Sequence, residues 1–148
     1  MPTSNHWLDQ RKAIEGAFNA ANVAATVLYE NTKQRPPTST EYVQLTILTA
    51  SDTEYASVGS PPRRRYRGVV LVRCFVPEGI GSAAGETLAT KAEEVFFNAA
   101  TGVGKELASG ANGHIVFDKP PSREIAGNVG GFYSIILNAQ FYRDQQGA

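Results

Sequence analysis

The stretch "YRGVVLVRCFVP", residues 66–77, constrains the fold more than any other part of the chain. Successive side chains of a strand point to opposite faces. Here both faces are apolar apart from Arg73, the pattern of a central strand covered on both sides. Pro77 cannot donate to a ladder and ends it. From Glu41 a second strand alternates, with Val43, Leu45 and Ile47 apolar against Tyr42, Gln44 and Thr46. A long final strand, "FYSIILNAQFYRD", puts Tyr133, Ile135, Leu137 and Phe141 on one face and Ser134, Asn138 and Gln140 on the other.

Two helices accompany these strands. Ser4 is placed to cap the first, which runs to about residue 20 with Trp7, Ile14, Phe18 and Ala21 near helical spacing. The second runs from Ser82 to about Ala99, with Leu88, Ala92, Val95, Phe96 and Ala99 on one stripe. Short strands are expected in "AATVLYEN" and "HIVFDKP". "TKQRPPTST" reads as an exposed loop, "ATGVGKELASGANG" as a loop, and "SREIAGNVGG" as a turn-rich connection. "TASDTEYASVGSPPRRRYRG" reads as a projecting arm or hairpin with a short strand at residues 54–58. The order implies an α+β fold: a mainly antiparallel mixed sheet, two helices packed on one face, and a projecting hairpin or arm. At 148 residues the chain suits one domain, residues 1–148.

Charge and cysteine content narrow the function classes. Lys plus Arg and Asp plus Glu both number 14, so no overall field draws the chain to nucleic acid or an anionic membrane. Charged residues make up only 19%, below the usual share of roughly a quarter, as in proteins that pack against partners. The single cysteine, Cys74, lies in the apolar run and fits a buried thiol in a reducing compartment. No segment approaches the roughly 18 apolar residues of a membrane span, and the N-terminus has no apolar export core.

Candidate chemistry is thin. "FVPEGIGSAAGETL", residues 75–88, resembles a phosphate-cradling loop, but a dinucleotide fingerprint wants glycine where Ala84 stands, and Gly85 comes one place late. The strands do not alternate with helices as that fold requires. The bland reading makes Pro77 a strand end, Gly79 and Gly81 a turn, and Ser82 a helix cap. "TGVGKEL" fails as a phosphate loop, with Ala99 and Glu106 at two required positions. His6 and His114 lack metal-ligand spacing. Glu93 and Glu94 read as solvated charge rather than an acid–base pair. No catalytic residue, metal site or cofactor is implied.

The segment "SPPRRRYR", with Arg73 beyond it, holds five arginines and no acidic residue between Glu54 and Glu78. A solvated loop base, contact with nucleic-acid phosphates, and a protein interface in which Arg65 or Arg67 grips a neighbour's carboxylate all fit. Balanced net charge and the absence of a nucleic-acid module favour the interface. Arg63, Arg64, Arg65 and Arg67 on the arm, and Arg35 on the loop at residues 33–40, are the candidate contact residues.

The order of "VLYENTKQRPP", "YVQLTIL", Arg67 followed by Gly68, "PEGIG" at residues 77–81 and the following helix resembles the tail terminator (tail completion) proteins of long-tailed bacteriophages, the lambda-like minor tail protein family. The likeness covers roughly residues 5–142. It implies a non-enzymatic α+β virion subunit, assembled in the host cytoplasm, forming a hexameric ring at the head-proximal end of the tail. The implied partners are further copies of itself, the tail tube protein and the head–tail connector or neck protein. DNA would pass through the lumen without sequence-specific binding, and no membrane is involved. The alternatives are a neck protein of similar size and, from another class, a small phosphate- or nucleotide-binding protein using Gly79, Gly81 and the helix start.

Overall fold

A computed structural model describes residues 6–55, 63–98, 100–109 and 113–146. Strand β3 (Arg63–Pro77) is the spine, as the apolar run at residues 66–77 requires. It pairs antiparallel with β2 (Tyr42–Tyr55) on one side and with β9 (Phe132–Gln146) on the other. The register sets Val43 opposite Cys74 and Ile135 opposite Cys74, so apolar positions of all three strands share one face. Val43, Leu45, Val70, Val72, Cys74, Val76, Ile135, Leu137, Ala139 and Phe141 form the core there. Helix α1 (His6–Ala20) contributes Ile14 and Phe18, and α2 (Ser82–Glu93) contributes Leu88, Ala89 and Ala92.

The sheet extends on both sides. A two-residue strand β1 (Val27–Leu28) lies parallel to β2. On the far side of β9, β8 (Ser122–Val129) covers one half and β7 (Gly113–Val116) the other, with β6 (Glu106–Ser109) beyond β7. The strand pair β4 (Phe97–Asn98) and β5 (Val103–Gly104) forms a separate small ladder. This is the expected α+β architecture, with seven strands in the main sheet.

Several local expectations change. The expected hairpin is built by the core strands themselves: β2 continues through an irregularity between Thr49 and Thr53 to Tyr55, which pairs with Arg64. Of the expected strand at residues 54–58, Glu54 and Tyr55 form the end of β2, and residues 56–62 lie outside the described residues, as does the Ser4 cap. Among the described residues, β3 is covered by helices on one face only. On the other face Val69, Leu71 and Phe75 are half-buried and Arg73 is exposed. "SREIAGNVGG" is a strand, not a connection. Gly130 and Gly131, at φ 56 and 86, form the two-residue turn of the β8–β9 hairpin, and the register shift near Gly127 absorbs the remaining glycine.

The second helix stops at Glu93 rather than Ala99. Val95 and Phe96 N–H groups reach back three residues, to the carbonyls of Ala92 and Glu93, which tightens the last turn while both side chains stay buried. Ser82 does not cap it. Gly81 occupies the cap position, and no side-chain cap bond is made there among the described residues. No described helix is long and apolar enough to cross a membrane.

Candidate assembly interface

The arginine-rich stretch lies at one end of the three long strands, and alternation splits it between the two sheet faces. On the helix side, Tyr66 stands near Trp7 from the first turn of α1, ring centroids 5.2 Å apart and nearly perpendicular. The guanidinium of Arg143 packs against both rings, 4.8 Å from the Trp7 ring centre and 4.6 Å from that of Tyr66. Arg143 is fully buried. Burial pushes its pKa below the usual arginine value, partly offset by Tyr66 and Asp9. Desolvated cation–ring contacts of this kind are worth about 2 kcal/mol, so this stack pins the start of α1 to the arm.

On the opposite face Arg65 grips Asp144 with both prongs, Nε to Oδ1 at 2.8 Å and Nη2 to Oδ2 at 3.0 Å. Its guanidinium also lies 4.0 Å from the centre of the Tyr142 ring. Asp144 is the residue directly across from Arg65 in the β3–β9 ladder. The bidentate carboxylate that the sequence reading assigned to a neighbour thus has a counterpart within the chain. Arg63, Arg64 and Arg67 are exposed. Arg35 is exposed too, but on the loop that leads into β2 at Tyr42, which pairs with Phe75. That is the other end of β3, so the structure does not gather Arg35 with the rest.

Beside Arg67 the sheet opens into a cavity of about 410 Å³, where the β2 irregularity meets the segment after β7. Leu48, Val69, Gly68 and Phe141 line it, with Arg67, Asp118 and Lys119 also contributing. Gly68 lets the Phe141 ring lie directly on the β3 backbone: a Cβ there would lie 2.5 Å from that ring.

The glycine turn is at the opposite end of β3. Gly79 and Gly81 have φ of 87 and 88, which glycine adopts readily and other residues resist. The Glu78 N–H donates to the Gly131 carbonyl at 3.1 Å, tying the turn to the β8–β9 hairpin. The neighbours of β3 are both antiparallel, whereas a dinucleotide site needs parallel strands joined through the helix. Lys105, in the other glycine-rich decoy, is held in a ladder: its N–H donates to Phe96 O and its carbonyl accepts from Phe117 N–H. His114 Nε2 lies 3.0 Å from Glu106 Oε2 on the exposed β6–β7 hairpin. No cluster of three or more metal-ligating side chains occurs among the described residues.

Neither Arg123 nor Arg143 was singled out from the sequence. Arg123 on β8 binds Glu86, Thr90 and Glu93, clamping that strand to α2, so Glu93 is not simply solvated. The signal for Arg143 was available, because it falls two positions after Phe141 on the core-facing alternation.

Fold and surface together define a class: an α+β domain whose sheet has one face under helices and an arginine-rich, strand-built end. Solved structures carry the same fold. One aligns with a TM-score of 0.69 and 22% identity, covering 98% of this chain and 99% of the other. A chain from the "Virion of native gene transfer agent (GTA) particle" aligns with a TM-score of 0.55 and 17% identity, covering 96% and 99%. No curated protein sequence matches. The sequence profile of the phage tail terminator protein family matches residues 10–135, and the chain belongs to that family. It is a structural protein of the phage tail.

Proposed function

We propose that this chain forms a ring, hexameric by analogy with its family, that caps the head-proximal end of the tail tube, ends tube polymerisation and presents the docking surface for the head–tail connector. The family match over residues 10–135 carries the reading. Similarity to a chain of a gene transfer agent virion supports a place in an assembled particle. Arg63, Arg64 and Arg67, exposed at one end of β3, are placed to contact neighbouring subunits or the tail, and Arg35 to do so at the other end. DNA passes through such a ring without sequence-specific contacts, which suits a chain of zero net charge.

A phage deletion tests the reading. Overlong tails are expected. Normal-length free tails beside filled heads would instead identify a neck protein. Replacing Arg63, Arg64 and Arg67 together by Ser should abolish ring formation while leaving the monomer folded. Arg65 is left in place, because its loss would break the Asp144 pair and confound assembly with folding.

A further inference from the structure

Ile80 stands 58% exposed at the apex of the glycine turn. Nothing local explains an isoleucine there. A Cβ built on Gly79 or Gly81 meets no atom within 4 Å, so the tip of the turn stands clear of the other described residues. Its base is fixed by the Glu78–Gly131 backbone bond, and its shape by two glycines with positive φ. The result is a pre-formed apolar knob with an exposed carboxylate, Glu78, two residues away.

The other end of β3 offers the complement. The cavity beside Arg67 has an apolar floor, with Gly68 and Phe141 beneath and Leu48 and Val69 beside it. Leu48 is itself 51% exposed. At about 410 Å³ it lies toward the small end of the roughly 300–1,000 Å³ range of ligand pockets, large enough for one aliphatic side chain and its flanks. Lys119, an exposed lining residue, is placed to meet an acidic group beside the inserted side chain.

We propose that the turn at residues 78–81 of one copy seats Ile80 in the cavity of the next, with Glu78 meeting Lys119, so that copies join head to tail. The proposal rests on the self-assembly reading and names the surfaces that serve it. Nine residues of strand separate Gly68 from Pro77, about 30 Å, so no subunit can fill its own cavity. A contact between different patches propagates to a ring or a file of subunits.

The test uses the full chain with tail tubes present. Ile80→Cys and Ala50→Cys are combined, Ala50 being a cavity residue. A disulfide needs Cα atoms within about 7 Å, so only an intermolecular bond can form. Cys74 does not compete, since it is buried and its pKa is pushed up to about 12. After mild oxidation the double variant should give a ladder of covalent oligomers on a non-reducing gel, and neither single variant should. A double variant that stays monomeric while wild-type rings form by electron microscopy would overturn the proposal and leave the ring intact. A ladder that stops at the dimer would overturn the head-to-tail arrangement. Absence of wild-type rings on tubes would overturn the self-assembly reading and this proposal with it. Independently, Glu78→Lys and Lys119→Glu should each weaken association roughly tenfold, and the pair together should restore it. Failure of the pair to restore association would remove the assigned partner.

Discussion

Gly68→Ala is the substitution whose cost follows most directly from the geometry. The added Cβ would lie 2.5 Å from Phe141 Cζ and 2.8 Å from the Leu48 carbonyl oxygen. Carbon atoms rest about 3.5–4.0 Å apart, so the ring must retreat by about 1 Å. It has little room to do so. Phe141 is buried, with its ring 5.6 Å from that of Phe117, which lies 4.8 Å from that of Phe96. The carbonyl can yield only by disturbing the β2–β3 ladder, where Gly68 faces Thr49. Overpacking costs about 1–3 kcal/mol, and the backbone component places Gly68→Ala in the upper part, about 2–3 kcal/mol. For a chain of this size the melting temperature should fall by about 4–12 °C. The comparison is Gly16→Ala, on an exposed turn of α1 where a Cβ meets nothing within 4 Å among the described residues. That change should stabilise by up to about 1 kcal/mol through helix propensity. Thermal and urea unfolding of both variants supplies the signs. Phe141→Leu, made in wild type and in Gly68→Ala, supplies the mechanism, because it should cost less in the second background. A Gly68→Ala protein within about 0.5 kcal/mol of wild type, or strictly additive costs with Phe141→Leu, would refute the reasoning.

Two other outcomes are expected. The Ile47 N–H donates to Glu30 Oε1 at 2.7 Å, beyond the point where β1 ends, so the carboxylate stands in for a missing strand carbonyl. Glu30→Ala should cost about 1–2 kcal/mol and raise amide exchange at Ile47, while Val43, bonded to Thr26 O, stays protected; equal exchange at Ile47 in both proteins would contradict it. Burial pushes the Cys74 thiol up to about 12 from 9.0. A folded-state value above the unfolded one means the folded chain holds its proton longer, so this contribution is fully present below pH 9 and is lost as pH rises toward 12. A Cys74→Ala variant should show a shallower loss of stability across that window, and the wild-type thiol should resist alkylation near pH 9 until the chain unfolds.

The long strands were legible because their alternation is local and physical. Ile135, Leu137 and Phe141 fall on the core face as the period of two requires. Alternation cannot tell a face covered by helices from one left half-open, and among the described residues no helix covers Val69, Leu71 and Phe75. The β8 strand was hidden by its glycines, which read as a connection but serve a bulge and a tight hairpin turn. Val95 and Phe96 lengthened the expected helix because burial and helicity give the same stripe. The arginines were visible as a group, but their division between faces depends on register, and the Asp144 partner lies 79 residues from Arg65.

That register depends on the arm. Because the side-chain period is two, a one-residue slip of β9 against β3 would turn Ile135, Leu137 and Phe141 away from the helices. Hydrophobic burial opposes the slip in the middle of the sheet, but the arm has few apolar residues to do so. There the Arg65–Asp144 fork on one face and the Trp7–Arg143–Tyr66 stack on the other are satisfied only in the observed pairing. Fixing register is the best-attested use of a partly buried ion pair such as Arg65–Asp144. A register held from Pro77 to Arg63 also fixes the distance between the glycine turn and the cavity. In the head-to-tail arrangement proposed above, copies would close a ring of defined size only if that distance did not vary, so the arginine arm would bear on assembly even where it touched no neighbour.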